Sequence, residues 1–184
     1  VSPTTAEHVR QELGDRIDAV LDGGPCTVGL ESTILDLSGA EPRILRPGML
    51  DAKCLGQVLG RTPRLAARSE GPRASGRLAS HYAPATPLEL VDPASLKSRL
   101  SAAPARIAVL TVGNRTADST SAAAIRPMPD DPEAYARVLY ARLRELDLAG
   151  FELILVERPP GEPAWAAIHD RLQRAAAGRE VYDG

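Results

Sequence analysis

Two long apolar runs dominate the pattern of this chain. Arg106 to Val112 and Phe151 to Val156 read as strands covered on both faces, because nearly every position is aliphatic. Between them, Tyr135, Val138, Leu139, Leu143 and Leu146 recur at the spacing of one helical face. Asp131-Pro132-Glu133 starts that helix well: a cap, a proline in the first turn and an acid near the positive end. Leu88 to Val91 opens the pattern, Ser95 to Leu100 is a helix candidate, and Trp165 to Ala176 reads as a last helix. Strands alternating with helices predict a small parallel, Rossmann-like sheet. It carries neither a G-x-G-x-x-G nor a Walker lysine motif, so nothing in this half argues for nucleotide binding.

The first sixty positions follow another pattern. Thr4-Thr5-Ala6-Glu7 predicts a helix start, with either threonine as cap, and Gly14 stops the helix after Leu13. Ile17 to Leu21 reads as a strand, turned back by Asp22-Gly23-Gly24-Pro25. Thr27 to Leu37 and Arg43 to Arg46 read as two more strands joined by a polar turn, followed by a short helix from Leu50 to Leu59 that Gly60 ends. Three strands and two short helices make a thin core, so this piece is expected to lack its other half. Gly29 would let another backbone or a ligand come close. Ser32 and Thr33 on a strand would point to opposite faces, so only one could serve a given pocket. Polar residues embedded in these strands fit a binding face, and equally an ordinary hairpin with a solvated side.

From Arg61 to Pro87 prolines and glycines interrupt the chain and no hydrophobic period is sustained. A linker or a functional lid are the two readings of such a length. His81-Tyr82-Ala83-Pro84 stands out within it, an imidazole and a phenol stiffened by a proline.

Composition narrows the class. A chain of 184 residues can bury a real core, and with 3% aromatic residues that core must be built from Ala, Leu, Val and Ile. No apolar run approaches the roughly 18–20 residues of a membrane span, and Val1 to Thr5 does not read as the start of a secretory signal. A net charge of -2 argues against a protein that coats nucleic acid, although Arg61, Arg64, Arg68, Arg73 and Arg77 could form a local basic patch. Cys26 and Cys54 are too few for a disulfide framework and are expected as buried free thiols in a reducing cytoplasm. His8, His81 and His169 lie far apart without carboxylates at ligand spacing, so no metal site is expected. Ser32 lacks the strand-to-helix elbow of an esterase nucleophile, and no catalytic side chain is assigned. From the residues alone, Ser32, Arg46 and Tyr82 look like a polar ligand-binding set.

Ordered motifs then resemble one family. Ser2-Pro3-Thr4-Thr5-Ala6-Glu7-His8-Val9 is similar to the end of the S-A-N-x-S-G-x-x-S-P-T-T segment of YrdC-type proteins. Leu21-Asp22-Gly23-Gly24, Gly29-Leu30-Glu31-Ser32-Thr33-Ile34 and Ile44-Leu45-Arg46-Pro47-Gly48 follow in that family's order. His81-Tyr82-Ala83-Pro84-Ala85-Thr86-Pro87-Leu88 resembles the linker of its two-domain form, and the rest resembles that form's C-terminal domain by looser patterning. The resemblance implies a partial YrdC-like twisted α/β sheet with hairpin strands over residues 1–60. A long linker or lid over 61–87 and a small Rossmann-like accessory domain over 88–184 would follow. Family segments that precede Ser2 supply much of the pocket, so these 184 residues alone are expected to be inactive.

The activity implied is that of an L-threonylcarbamoyladenylate synthase, a nucleotidyltransferase that makes threonylcarbamoyl-AMP from L-threonine, bicarbonate and ATP and releases pyrophosphate. The product serves threonylcarbamoyladenosine modification of tRNA in the cytoplasm, so tRNA or tRNA-modification proteins are implied partners and a membrane is not. Magnesium would arrive with ATP, with no dedicated ligand here. By resemblance Ser2, Arg46 and Tyr82 would bind ATP and Ser32 would contact threonine, in preference to Thr33. The plainer alternatives are a sheet hydroxyl for Ser32, a surface ion pair for Arg46 and a packing anchor for Tyr82. Two other functions compete: a carbamoyltransferase working through a carbamoyl-adenylate, and a noncatalytic RNA-binding module using the arginines between 61 and 77.

Overall fold

A computed structural model of the chain describes residues 1–67, 70–72, 74–75, 83–114 and 123–177. The N-terminal part holds α1 (Ala6–Leu13), β1 (Ile34–Asp36), β2 (Arg43–Arg46), α2 (Ala52–Leu59) and β3 (Arg64–Leu65). The C-terminal part holds β4 (Leu88–Val91), α3 (Leu96–Ser101), β5 (Ile107–Val112), β6 (Ala123–Met128), α4 (Pro132–Leu148), β7 (Leu153–Glu157) and α5 (Ala166–Ala176).

The larger sheet runs β4-β7-β5-β6 with every pair parallel, so β5 and β7 lie inside it. Period two divides their side chains between two faces. Ala108, Leu110, Ile154 and Val156 join the apolar faces of α4 and α5, while Ile107, Val109, Leu153 and Leu155 meet Leu96 and Leu100 of α3. This is why both runs are continuously apolar. The sheet agrees with the Rossmann-like expectation, and β6 adds an edge strand where no element was expected. Arg126 and Pro127 break its apolar pattern, and the outermost position tolerates a proline that a central strand would not.

Asp131 caps α4 by accepting from the Ala134 amide at 2.8 Å. Tyr135, Leu139, Leu143 and Leu146 are buried as the helical spacing predicts, and Tyr135 meets Trp165 edge to face at a centroid distance of 5.4 Å. Near the other end, Asp147 accepts from the Thr86 amide at 2.7 Å and hydroxyl at 2.8 Å, and from the Ala85 amide at 3.0 Å. These bonds hold the chain where it enters β4.

The smaller sheet is thin. β1 and β2 pair antiparallel with an irregularity between Ile34 and Leu35, and β3 adds in parallel to β2. A two-residue strand therefore lies inside the segment read as linker or lid. Ile17 to Leu21 forms no strand: no described strand lies beside it, and Leu21 is 99% exposed. The expected strand over 27–37 shrinks to β1, because Gly29 takes a φ of +82° and packs against the α4 backbone at Ala136 and Arg137. Thr5, not Thr4, caps α1, accepting from the His8 amide. Both cysteines are free but exposed, not buried as expected.

Leu30 ties the two parts together by packing into the cluster formed with α4 and α5. Gly29 permits this approach. A Cβ there would lie 2.5 Å from the Ala136 carbonyl oxygen and the Arg137 Cα of α4. The backbone this glycine was expected to admit is therefore that of a helix.

Leu139 is fully buried on α4, whereas Val58 on α2 is 87% exposed. Leu139→Ala is expected to lower unfolding free energy by about 2–5 kcal/mol, and Val58→Ala to change it by less than about 0.5 kcal/mol. Urea titration of the two variants measures the contrast; equal losses would contradict this placement of the core.

Candidate substrate-binding site

Close approach of two segments builds the site. Gly48 packs where a Cβ would collide with the backbone and hydroxyl of Thr33, so residues 32–33 lie directly against 47–48. Arg46, at the end of β2, is buried rather than at the surface. Its Nε donates to the Ser32 carbonyl at 3.0 Å, one terminal nitrogen to the Ser32 hydroxyl at 3.4 Å, and the other to the Ser75 carbonyl at 3.1 Å. Thr33 turns elsewhere and donates its hydroxyl to the Leu50 carbonyl at 2.8 Å. Ser32 is thus the hydroxyl beside Arg46, although neither it nor Thr33 lies in a regular strand.

Ser2 joins this pair through Glu31. The Ser2 hydroxyl donates to Glu31 Oε1 at 2.5 Å, while Tyr140 donates to Oε2 at 3.0 Å and Arg171 Nε to Oε2 at 2.8 Å. Arg144 of α4 holds the same N-terminal stretch, donating to the carbonyls of Val1 and Ser2 and pairing with Glu12. Ser2, Glu31 and Tyr140 border an open recess of about 440 Å³ floored by residues 26–30.

Arg171 is entirely buried. Its terminal nitrogens reach the Pro47 carbonyl at 3.1 Å, the Glu31 carbonyl at 3.3 Å and Asp170 Oδ2 at 2.6 Å. Asp170 in turn receives Arg174 through both carboxylate oxygens, at 2.9 and 2.6 Å. Burial pushes the Glu31 carboxyl pKa up, but bonds from Ser2 and Arg171 outweigh it and hold the pKa below the usual glutamate value.

Ser32 and Arg46 are thus in direct contact, Ser2 comes near them through Glu31, the residue before Ser32, and Tyr82 lies outside the described residues. Of the five arginines that could form a local basic patch, two lie among the described residues. Arg61 and Arg64 are paired with Glu41 and Glu70, and Arg68, Arg73 and Arg77 lie outside the described residues. Among the described residues no group of three or more His, Cys, Asp and Glu is placed to hold a metal, and no helix is long and apolar enough to cross a membrane.

Comparison with known proteins adds to this geometry. The family model described as "Threonylcarbamoyl-AMP synthase, C-terminal domain" matches residues 41–177, and one described as "Telomere recombination" matches residues 1–48. The chain belongs to the threonylcarbamoyl-AMP synthase family. It is 33% identical over 192 residues to the threonylcarbamoyl-AMP synthase of Bacillus subtilis (strain 168), covering 98% of this chain and 55% of that one. It is 29% identical over 193 residues to that of Pyrococcus abyssi, again covering 98% of this chain and 55% of the other. Its fold matches a crystal structure of P. abyssi Sua5 complexed with L-threonine at a TM-score of 0.75 and 27% identity, over 97% of this chain and 55% of that one. The chain spans about half the length of these relatives. The mixed α/β class with a parallel four-stranded sheet agrees with that neighbour.

Sequence reasoning gave no role to Glu31, Tyr140 or Arg171. One signal was available for Arg171. It stands at the apolar spacing Ile168-Arg171-Leu172-Ala175 of α5, where a guanidinium must find a buried anion. Tyr140 offered no comparable clue, since a tyrosine on that face of α4 fits a core as well as a site.

Glu31→Gln is expected to cost about 1–3 kcal/mol of stability at pH 7, since buried Arg171 loses a charged hydrogen-bond partner and keeps Asp170 as its remaining carboxylate. The folded-state pKa of Glu31 is depressed, so its contribution is fully present above the ordinary glutamate pKa of 4.5 and is lost as pH falls through the lowered value. The stability gap between wild type and Glu31→Gln should therefore narrow under acid. Denaturant titrations between pH 7 and 3 measure it; a gap that widens would contradict the pairing.

Proposed function

We propose that this chain supplies part of the substrate site of a synthase that makes threonylcarbamoyl-AMP from L-threonine, bicarbonate and ATP, releasing pyrophosphate. One observation supports the reading: Arg46 bonds the carbonyl and hydroxyl of Ser32, and Ser2 bonds Glu31, the residue before Ser32, so three motifs come together in a chain of this family. The relatives named as threonylcarbamoyl-AMP synthases and the neighbour complexed with L-threonine support it.

In this reading the threonine amine takes up carbon dioxide as a carbamate. A carbamate oxygen then attacks the α-phosphorus of ATP, and pyrophosphate leaves. Such a nucleotidyl transfer asks for placement and charge stabilisation more than for covalent work by side chains. Arg46 brings a fixed fork of donors suited to phosphate oxygens. Its acceptors include the Ser32 hydroxyl and the carbonyls of Ser32 and Ser75, so nucleotide binding would exchange some of these bonds for bonds to phosphate. The Ser32 hydroxyl, able to donate and accept, suits a zwitterionic amino acid. The Ser2 proton is committed to Glu31, so Ser2 would meet ATP as an acceptor. Tyr82 would close over the nucleotide and keep water from the mixed anhydride. Glu31 is engaged on both oxygens, so magnesium would come with the ATP phosphates rather than through this carboxylate. The product would serve tRNA modification in the cytoplasm.

Threonine-dependent pyrophosphate release is the test, measured on the 184-residue chain and on the complete synthase that contains it. The chain alone should give no turnover, and a robust rate from it would show that the site is misplaced. In the complete synthase, Arg46→Ala is expected to reduce the rate about 100-fold or more, as loss of a charge-stabilising donor does. Near-normal release would overturn the role given to Arg46.

A further inference from the structure

Two segments of the candidate site are held from behind by one guanidinium of the C-terminal layer. Arg171 donates to the side chain and carbonyl of Glu31, whose neighbour is Ser32, and to the carbonyl of Pro47, whose neighbour is Arg46. It thus spans the two loops whose separation sets the distance between Ser32 and Arg46. We propose that Arg171 is a positioning residue for the substrate site, setting L-threonine affinity through the backbone of both loops without touching substrate. The proposal rests on the reading of these segments as the substrate site.

An interdomain tie would ask only for a positive charge beside Glu31, which lysine supplies. Here Nε and both terminal nitrogens each have an acceptor on these two loops, and Asp170 holds the plane of the group from the other side. A single ammonium cannot reproduce that spread. Tyr140 assists more weakly: its hydroxyl shares Glu31 Oε2 with Arg171, and through Glu31 it bears on the Ser2 hydroxyl at Oε1. Arg171→Lys should therefore disturb the Ser32–Arg46 spacing, and Tyr140→Phe the Ser2 orientation. Both variants keep most of the buried volume.

Steady-state kinetics of the complete synthase, with thermal unfolding of each variant, test this. Arg171→Lys is expected to raise KM for L-threonine about tenfold while kcat falls less than about threefold, since misplacement of a ground-state contact acts mainly on binding. Tyr140→Phe should raise KM for ATP about threefold, with little change in KM for threonine. A folded Arg171→Lys variant with wild-type KM values would overturn the proposal and leave Arg171 as an interdomain tie. Where Arg171→Lys does not fold, Asp170→Asn decides, because Asp170 accepts from the Arg171 guanidinium: unchanged KM for L-threonine would overturn the proposal, and a selective rise would support it. A wild-type synthase without threonine-dependent pyrophosphate release would instead overturn the functional reading, and the proposal with it.

Discussion

The structure depends on the ion pair between buried Arg171 and half-buried Glu31. Taking the Arg171 charge wholly and the Glu31 charge partly out of water is costly, and their attraction repays this only when the remaining donors and acceptors are matched. Here they are. Glu31 receives Ser2 and Tyr140 as well as Arg171, and Arg171 reaches two carbonyls and Asp170. Removing any one partner leaves a charged or polar group buried beside a gap. The arrangement of the first fifty residues is therefore inseparable from the position of α5.

That dependence follows from size. The smaller sheet buries few large side chains of its own, and Leu37, Leu65 and Val58 remain exposed around it. A sheet of three short strands cannot hold its shape by hydrophobic burial alone. It leans on the parallel layer instead, through Leu30 in the apolar cluster, Gly29 against the α4 backbone, and the polar contacts of Arg144, Tyr140 and Arg171. The segments that carry Ser32 and Arg46 gain rigidity from a neighbour with a real core. The C-terminal layer thus acts on the site as a support, whatever else it does.

Legibility in the sequence differed by element for physical reasons. β5, β7 and α4 announce themselves, because a strand buried on both faces must be apolar throughout and an amphipathic helix must repeat at its own period. β6 was missed because an edge strand is excused from that demand, and β3 because two residues carry no period at all. Ile17 to Leu21 has strand composition but no partner, and composition cannot create a ladder. In the site, the Ser32 and Arg46 motifs stood out as polar groups in apolar runs. Glu31 sat in the same run unnoticed, since its partner lies 140 positions away.

Sequence alone determined the inner strands of the parallel layer, the helix cap at Asp131, and the polar identity of the motifs around Ser32 and Arg46, since each depends on neighbours within a few residues. Motif order carried the family as well. Tertiary structure alone decided that Ser32 rather than Thr33 faces Arg46, that Ser2 bonds Glu31, and that Arg171 of α5 bonds the segments next to both Ser32 and Arg46. Those relations join residues with no periodicity in common. They are set by which backbone may approach which, at Gly29 and Gly48, and by the need of a buried guanidinium for every acceptor it can reach.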